Sequence, residues 1–127
     1  MAWLEWLDIG SRFVLGAQLA FAGLNGFFHW IPIPPSSPVI DQFSKAMIDS
    51  KFIMPLVKIC EITFGLLLVA GLFVPLSLIV LGPIVLLITG LHLWHNEKPW
   101  GVCLPITLPY LIALALNFDS LRFLFVP

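Results

Sequence analysis

Long apolar runs fill most of this sequence and constrain its fold more than any other feature. The 127 residues are 60% hydrophobic and only 10% charged, whereas a soluble domain is about 25% charged. A core of this size cannot bury so much apolar surface, so lipid is the simplest solvent for it. Crossing a bilayer takes about 20 residues, and the runs that suffice are 11–31, 54–73, 76–94 and 102–118.

The connections between these runs predict how the helices are arranged. Only Val74 and Pro75 separate the second run from the third, so those two helices must be antiparallel neighbours. A short polar turn at 95–100 joins the third run to the fourth. We therefore expect an all-α integral membrane protein, a four-helix bundle of up-down-up-down topology, with a single transmembrane domain over residues 1–127.

Two further segments are too polar to cross the membrane. Residues 1–10 mix acidic side chains with Trp and Leu, which predicts a short amphipathic lead-in at the interface. The connector, 32–53, opens with several prolines, which end the first helix. It then holds a short amphipathic surface helix within 39–52. That helix either covers one end of the bundle as a lid or only joins two spans.

Charge and cysteine content exclude several classes of protein. A net charge of -1 offers no basic surface for nucleic acid. Glu5 and Asp8 precede the first apolar run, where a signal peptide needs positive charge, so we expect no cleaved signal. Lysine and arginine lie on both sides of the predicted bundle and therefore do not set its orientation. Two cysteines are too few for a disulfide framework.

An acid and a base lie inside the second apolar run. Lys58 and Glu61 are three residues apart, so they can pair on one helix face. Charges within a membrane-spanning helix are costly and mark functional sites by default. Either the two form a structural ion pair, or Glu61 exchanges protons or holds a polar ligand group while Lys58 sets its charge.

Up-and-down threading brings polar residues from every predicted span to one end of the bundle. The first and third spans end where the second and fourth begin, on the side opposite the termini. We therefore predict a ligand pocket in that leaflet, covered by the proline-rich connector. Its candidate residues are Asn25, His29, Lys58, Glu61, His92 and Thr107.

Other chemistries are open to groups at the same depth. Imidazole and carboxylate suit zinc or iron, which makes His29, His92 and Glu61 a candidate set. No close-spaced ligand motif supports that set, so we predict no metal site. Cys60 and Cys103 are either inert buried thiols or a redox pair.

Helix–helix contacts are predicted at other positions. Gly16 and Ala20 are four residues apart, a spacing that lets a neighbouring helix approach closely. Tyr110 and Thr107 are side chains that we expect to hydrogen-bond between helices. Thr107 therefore has two interpretations, a ligand group and an interhelical bond.

The second run carries a resemblance to a known family. The stretch from Lys58 to Pro75, with a Glu-x-x-x-Gly-x-Leu-Leu core that starts at Glu61, resembles the DoxX-like family of small four-span membrane proteins. Arg12 at the head of the first run, with Gly16 after it, extends the likeness. The family often has a lysine soon after a first-span glycine, where this chain has Asn25.

The resemblance implies a bacterial or archaeal cytoplasmic membrane, often with a partner protein. Members of the family are linked to quinone-dependent sulfur oxidation, quinol oxidase complexes, resistance to oxidants and thiols, and assembly of other membrane proteins. The resemblance transfers no catalytic residue. Because this chain lacks the family's lysine, a role tied to that residue does not carry over; Lys58 on the next helix is an alternative source of positive charge.

Two hypotheses of function follow, and both place the chain in a lipid bilayer. In the first, it is a redox-associated accessory subunit whose polar pocket binds a quinone or another small ligand. In the second, it is a non-enzymatic module that binds the helices of a partner membrane protein or of a second copy. Whether the chain is itself an enzyme is left open.

Overall fold

The fold is entirely helical over the residues that a computed structural model describes, 2–126, the side chains of Phe123 and Phe125 excepted. No strand occurs in that part of the chain, which confirms the predicted all-α class. The helices are α1 (Ala2–Phe28), α2 (Pro38–Asp49), α3 (Ile53–Ala70), α4 (Val74–His95), α5 (Trp100–Leu116) and α6 (Phe118–Leu121), followed by a 3-10 turn (Arg122–Phe125).

The first helix corrects one boundary. The predicted lead-in over 1–10 is not a separate element, because α1 runs unbroken from Ala2. No proline interrupts it, so the lead-in and the first apolar run share one helix. The helix ends at Phe28, three residues before the predicted end at residue 31. The next residue, His29, adopts a left-handed φ of 52° and takes the chain out of the helix.

Short-range bonds set the ends of the next two helices. Ser37 caps α2 by accepting a hydrogen bond from the Ile40 N–H at 3.4 Å, and Pro38 occupies the first turn. At the end of α3, Gly71 takes the left-handed φ of 74° that a C-terminal glycine tolerates. The Leu72 N–H then donates to Leu67 O at 3.0 Å, so the chain turns sharply into α4.

The two glycines at the crossing of α1 and α3 bring these helices close together. A Cβ atom built on Gly65 would lie 2.7 Å from Gly16 O and 2.9 Å from Ala20 N, which only glycine permits. The predicted close approach at Gly16 and Ala20 is therefore confirmed, with α3 as the neighbour. Further along α1, a Cβ atom built on Gly23 would lie 2.7 Å from Lys58 O, so α1 and α3 are antiparallel.

The four long helices form a ring of contacts. Helices α1 and α4 each pack against both α3 and α5. The core between them is small and consists mainly of leucines: Leu15, Leu19, Leu68, Leu78 and Leu81, all 1% exposed or less. Most other large apolar side chains of these helices point outward.

Two of the described helices are long and apolar enough to cross a membrane. Helix α3 has a mean hydropathy of 2.0 and α4 of 2.4. Only 17% and 22% of these segments are buried, so neither resembles the core helix of a soluble protein. Helix α5 is apolar but has 17 residues, and the polar side chains Arg12, Gln18 and Asn25 lower the hydropathy of α1.

Prolines within α5 are compensated by a neighbouring helix. Pro109 has no N–H, so the carbonyl of Pro105 lacks its usual partner four residues on. The Gln18 amide on α1 donates to that carbonyl at 2.6 Å. This bond ties α1 to α5 and satisfies a backbone oxygen that lipid could not.

Candidate functional site

Two adjoining cavities lie at the end of the bundle that carries Lys58. The larger one, called the loop cavity here, has a volume of about 740 Å³ and is open to the outside. The proline-rich loop covers it, since Pro32, Pro34 and Pro35 are among its lining residues. The end of α1 and the start of α3 form its floor.

The smaller cavity, called the inner cavity, has a volume of about 190 Å³ and lies between α2, α3 and α4. Its polar lining includes Lys58, Glu61 and His92, which come from α3 and α4. Phe43 and Met47 of α2 cover it. The lid over Glu61 and His92 is thus α2 itself, while the proline-rich loop covers the neighbouring cavity.

Lys58 and Glu61 form an ion pair in the wall between the cavities. The Lys58 Nζ atom donates to Glu61 Oε2 at 3.3 Å, and their side chains are 18% and 5% exposed. Lys58 lines both cavities, whereas Glu61 lines only the inner one of the two. Among the described residues Lys58 is the sole partner of the Glu61 carboxylate, and Oε1 has none. An acceptor oxygen is therefore available to a ligand in the inner cavity.

The hydrogen bonds behind His92 define its tautomer. The Lys98 N–H donates to Asn96 Oδ1 at 3.0 Å, which fixes the orientation of the Asn96 amide. The amide Nδ2 then donates to His92 Nδ1 at 2.9 Å. A neutral imidazole that accepts at Nδ1 carries its proton on Nε2. His92 is therefore held as a hydrogen-bond donor through Nε2.

The two predicted residues on the first helix have different roles. Asn25 is 7% exposed, and both polar atoms of its amide are bonded to Ile31: Nδ2 donates to the carbonyl at 2.9 Å, and Oδ1 accepts from the N–H at 2.8 Å. Asn25 lines the loop cavity but mainly holds the chain in the turn after α1. His29 is exposed and also lines the loop cavity.

Thr107 lines neither of these cavities. Its hydroxyl is 2.5 Å from that of Thr89, a bond between α5 and α4. The Tyr110 hydroxyl likewise donates to Leu78 O on α4 at 2.8 Å. The predicted interhelical hydrogen bonds of both residues are confirmed. The thiols of Cys60 and Cys103 are free, the first half-buried and the second buried.

Sequence reasoning missed three charged or polar residues of the loop cavity. Asp41, Ser44 and Lys51 line it from α2 and the turn that follows. They fall in the connector, which was predicted to cover the pocket but not to contribute polar residues to it. The available signal was an acidic residue, Asp41, in the first turn of a helix that begins after Ser37. In the structure Asp41 Oδ1 accepts from the Ser36 N–H at 3.0 Å, which ties this carboxylate to the proline-rich loop.

A second polar cluster, called the terminal clip here, lies at the other end of the bundle. Arg12 donates to Asp8 Oδ2 and, from α1 to α3, to Leu68 O, each at 3.2 Å. Asn117 at the end of α5 donates to Asp8 Oδ1 at 2.7 Å. The clip joins three helices and borders no cavity described above. Asp8 was not predicted to take part in any site.

A family model described as DoxX matches residues 7–95. The chain belongs to the DoxX family. The match runs from Leu7 in α1 to the end of α4 and includes every residue that lines either cavity. No curated protein and no solved structure matches the chain.

The candidate site has hydrogen-bond donors and an acceptor, and its described residues form no metal-binding set. In the described part of the chain, no group of three His, Cys, Asp or Glu side chains is placed to hold a metal ion. His29 and His92 line different cavities, so they do not join Glu61 in one shell. The inner cavity is lined by Lys58, Glu61, His92 and Ser44 among apolar side chains, so an ammonium, an imidazole donor, a carboxylate oxygen and a hydroxyl are the polar groups it offers.

Proposed function

We propose that this DoxX-family chain is a multi-pass protein of a bacterial or archaeal cytoplasmic membrane. In this proposal α1, α3, α4 and α5 cross the bilayer in up-down-up-down order and α2 lies at its surface. Contacts between the helices support it, since Gln18 meets Pro105 while Asp8 meets Asn117, an antiparallel pairing of α1 and α5.

Exposed tryptophans support the same placement. Trp6 near the start of α1 is 72% exposed, whereas Trp30, Trp94 and Trp100 at the cavity end are 58%, 80% and 62% exposed. Tryptophan is enriched where a membrane meets water. From Trp6 to Phe28 the helix rises about 33 Å at about 1.5 Å per residue, close to a hydrocarbon thickness of about 30 Å.

We propose further that the inner cavity binds the ring of a quinone, which makes the chain a redox-associated accessory subunit. The observation that carries this is the convergence of Lys58, Glu61 and His92 on a cavity whose other lining residues, Ser44 excepted, are apolar. Its volume of about 190 Å³ is below the range of about 300–1,000 Å³ typical of sites for drug-sized ligands, which suits a single ring.

The side chains match both states of such a ring. Lys58 and His92 Nε2–H are donors suited to carbonyl oxygens, and Glu61 Oε1 is an acceptor suited to a hydroxyl. A bound quinone would supply electron transfer. Glu61 would hold or release a proton at its carboxylate, since a carboxylic group within reach of a reacting oxygen is a general acid or base. Apolar neighbours such as Ile88 exclude water.

Binding of short-chain benzoquinone and naphthoquinone to the purified protein tests the proposal. We expect Glu61→Gln and His92→Ala each to weaken binding about tenfold, the effect of one charge-assisted or buried hydrogen bond. The matched controls are Glu97→Gln and His95→Ala, which make the same changes at exposed positions outside both cavities. Equal affinities in all variants would exclude the inner cavity as the quinone site.

A partner membrane protein or a second copy of the chain remains part of the proposal for an accessory subunit. The small residues of α1 do not offer a surface to such a partner, because Gly16 and Gly23 pack against α3 of the same chain. Gentle extraction followed by mass measurement of the intact complex tests for a partner. A stoichiometric second protein supports the accessory role, and a homogeneous single-chain species argues against it.

A further inference from the structure

The loop cavity carries an acid and a base that are not paired. Asp41 and Lys51 both line it, yet neither takes part in an ion pair within the described residues. Elsewhere on α2 the chain does pair such groups, since Lys45 and Asp49 are 2.6 Å apart. Two opposite charges held apart in one cavity are suited to a ligand that also carries two separated charges.

The other charges near this cavity leave it close to neutral. Lys58 also lines it, and Glu61 pairs with Lys58 from the inner cavity. Counting these four groups gives two positive and two negative charges. A purely anionic ligand would therefore meet Asp41 as a repulsive neighbour, whereas a zwitterion would find a partner for each of its ends.

Apart from Asn25, His29 and Ser44, the remaining walls of the loop cavity are apolar, and they lie where a membrane would meet water. Phe27, Ile33 and Met54 line the cavity. Trp30 lies between two lining residues, His29 and Ile31, in the sequence. It is 58% exposed and stacks on Phe28, with ring centroids 5.3 Å apart. Exposed tryptophan at a helix end marks the headgroup level of a bilayer. A ligand with a charged head and an apolar tail fits such a lining.

We propose that the loop cavity binds the headgroup of a zwitterionic phospholipid of the phosphoethanolamine type. Lys51 and Lys58 contact the phosphate, and Asp41 contacts the ammonium group. The acyl chains lie along the apolar walls. This site shares Lys58 with the proposed quinone site. The two are tested at different residues, Asp41 and Lys51 here and Glu61 and His92 there, so each proposal can fail while the other stands.

Reconstitution into nanodiscs with equal amounts of phosphatidylethanolamine and phosphatidylglycerol tests this, with retained lipid measured by native mass spectrometry. We expect wild type to retain phosphatidylethanolamine with about threefold or greater enrichment. Lys51→Gln should abolish retention of both lipids, and Lys51→Arg should restore it. Asp41→Asn should shift the preference to phosphatidylglycerol, because asparagine keeps the oxygen that accepts from Ser36 but loses the charge.

Lys45→Gln and Asp49→Asn are the matched controls, since they make the same changes on α2 outside the cavity. Size-exclusion profile and helical circular dichroism establish that each variant is folded. Lipid ratios equal to those of the nanodisc, or equal shifts in the control variants, would overturn the proposal. Soluble phosphoethanolamine that binds without any lipid enrichment would overturn the lipid assignment.

Discussion

At the end of the bundle where the chain begins, Asp8 and Arg12 bond to side chains and carbonyls of three helices. At the opposite end, Glu61 keeps one carboxylate oxygen free toward a cavity, and His92 is held in a single tautomer by groups outside that cavity. Both ends contain an ion pair between residues about one helical turn apart. The N–O distance is 3.2 Å in the clip and 3.3 Å beside the cavity. Distance alone does not separate them.

The two ends differ in whether the ion-paired groups have a second hydrogen-bond partner within the protein. In the terminal clip, Asp8 also accepts from Asn117, and Arg12 also donates to Leu68 O. Each group thus has a second partner within the protein, as a structural network requires. In the inner cavity the second partner is missing from the described residues, which is the property of a binding site. We therefore expect substitutions in the clip to reduce stability and substitutions in the cavity to reduce binding.

We expect the largest effect from a substitution that pushes α1 and α3 apart, because both the terminal clip and the loop cavity are formed by these two helices. Gly65→Leu places a side chain where a Cβ alone would lie 2.7 Å from Gly16 O. We expect a loss of at least about 3 kcal/mol, because backbone on the facing helix cannot move aside locally. Thermal unfolding in detergent measures this. Gly101→Leu, at a glycine with nothing within 4 Å, should stay near wild type, and an equal loss there would contradict the argument.

Removal of the clip arginine should have the next largest effect. Arg12→Ala removes the cation beside the half-buried Asp8 carboxylate and the bond from α1 to Leu68 O, which then keeps only the Gly71 N–H at 3.3 Å. We expect a loss of about 2–3 kcal/mol in the free energy of unfolding, with quinone binding unchanged. Lys45→Ala removes an exposed pair, 75% and 59% exposed, and should cost no more than about 0.5 kcal/mol. An Arg12 variant that kept its stability but lost ligand would reverse the assignment of the two ends.

A comparison of double variants sharpens the difference further. Glu61→Gln leaves Lys58 without its partner, and we expect a loss of about 1–2 kcal/mol. Adding Lys58→Met should recover most of that stability, because an ion pair replaced as a whole by apolar or neutral groups is often neutral. In the clip, Asp8→Asn added to Arg12→Ala should recover little, since the bond from Arg12 to Leu68 O that joins α1 to α3 is still lost. Chemical unfolding of the four variants measures both couplings, and equal recovery at the two ends would remove the distinction.

The sequence predicts the last three long helices closely because its breaks are chemically unambiguous. Pro75 and Gly71 mark the turn between α3 and α4, and the observed Val74–His95 differs little from the predicted 76–94. The start of α1 could not be predicted in the same way. An amphipathic segment and an apolar one continue in a single helix when no proline lies between them, and composition alone does not show that.

The candidate site shows a different limit. Threading gives the depth of each polar residue but not the rotation of its helix, so residues at one depth need not face one cavity. Glu61 and His92 share the inner cavity, whereas His29 and Asn25 line the loop cavity. The bonds from Asn25 to Ile31 depend on how the chain returns after α1, a long-range property that no local pattern records.

Thr107 is the residue at which depth and rotation disagree most clearly, and it offers the smallest predicted effect. Its hydroxyl bonds Thr89 between α5 and α4 and lines neither cavity. Hydrogen bonds between membrane helices contribute about 0.6 kcal/mol on average. Thr107→Val, which keeps the shape of the side chain, should lower the free energy of unfolding by about that amount and leave quinone affinity unchanged. Ser77→Ala, which removes a bond within α4, is the control for loss of a hydroxyl. A fall in quinone affinity with Thr107→Val alone would return this residue to the ligand site and show that the inner cavity extends toward α5.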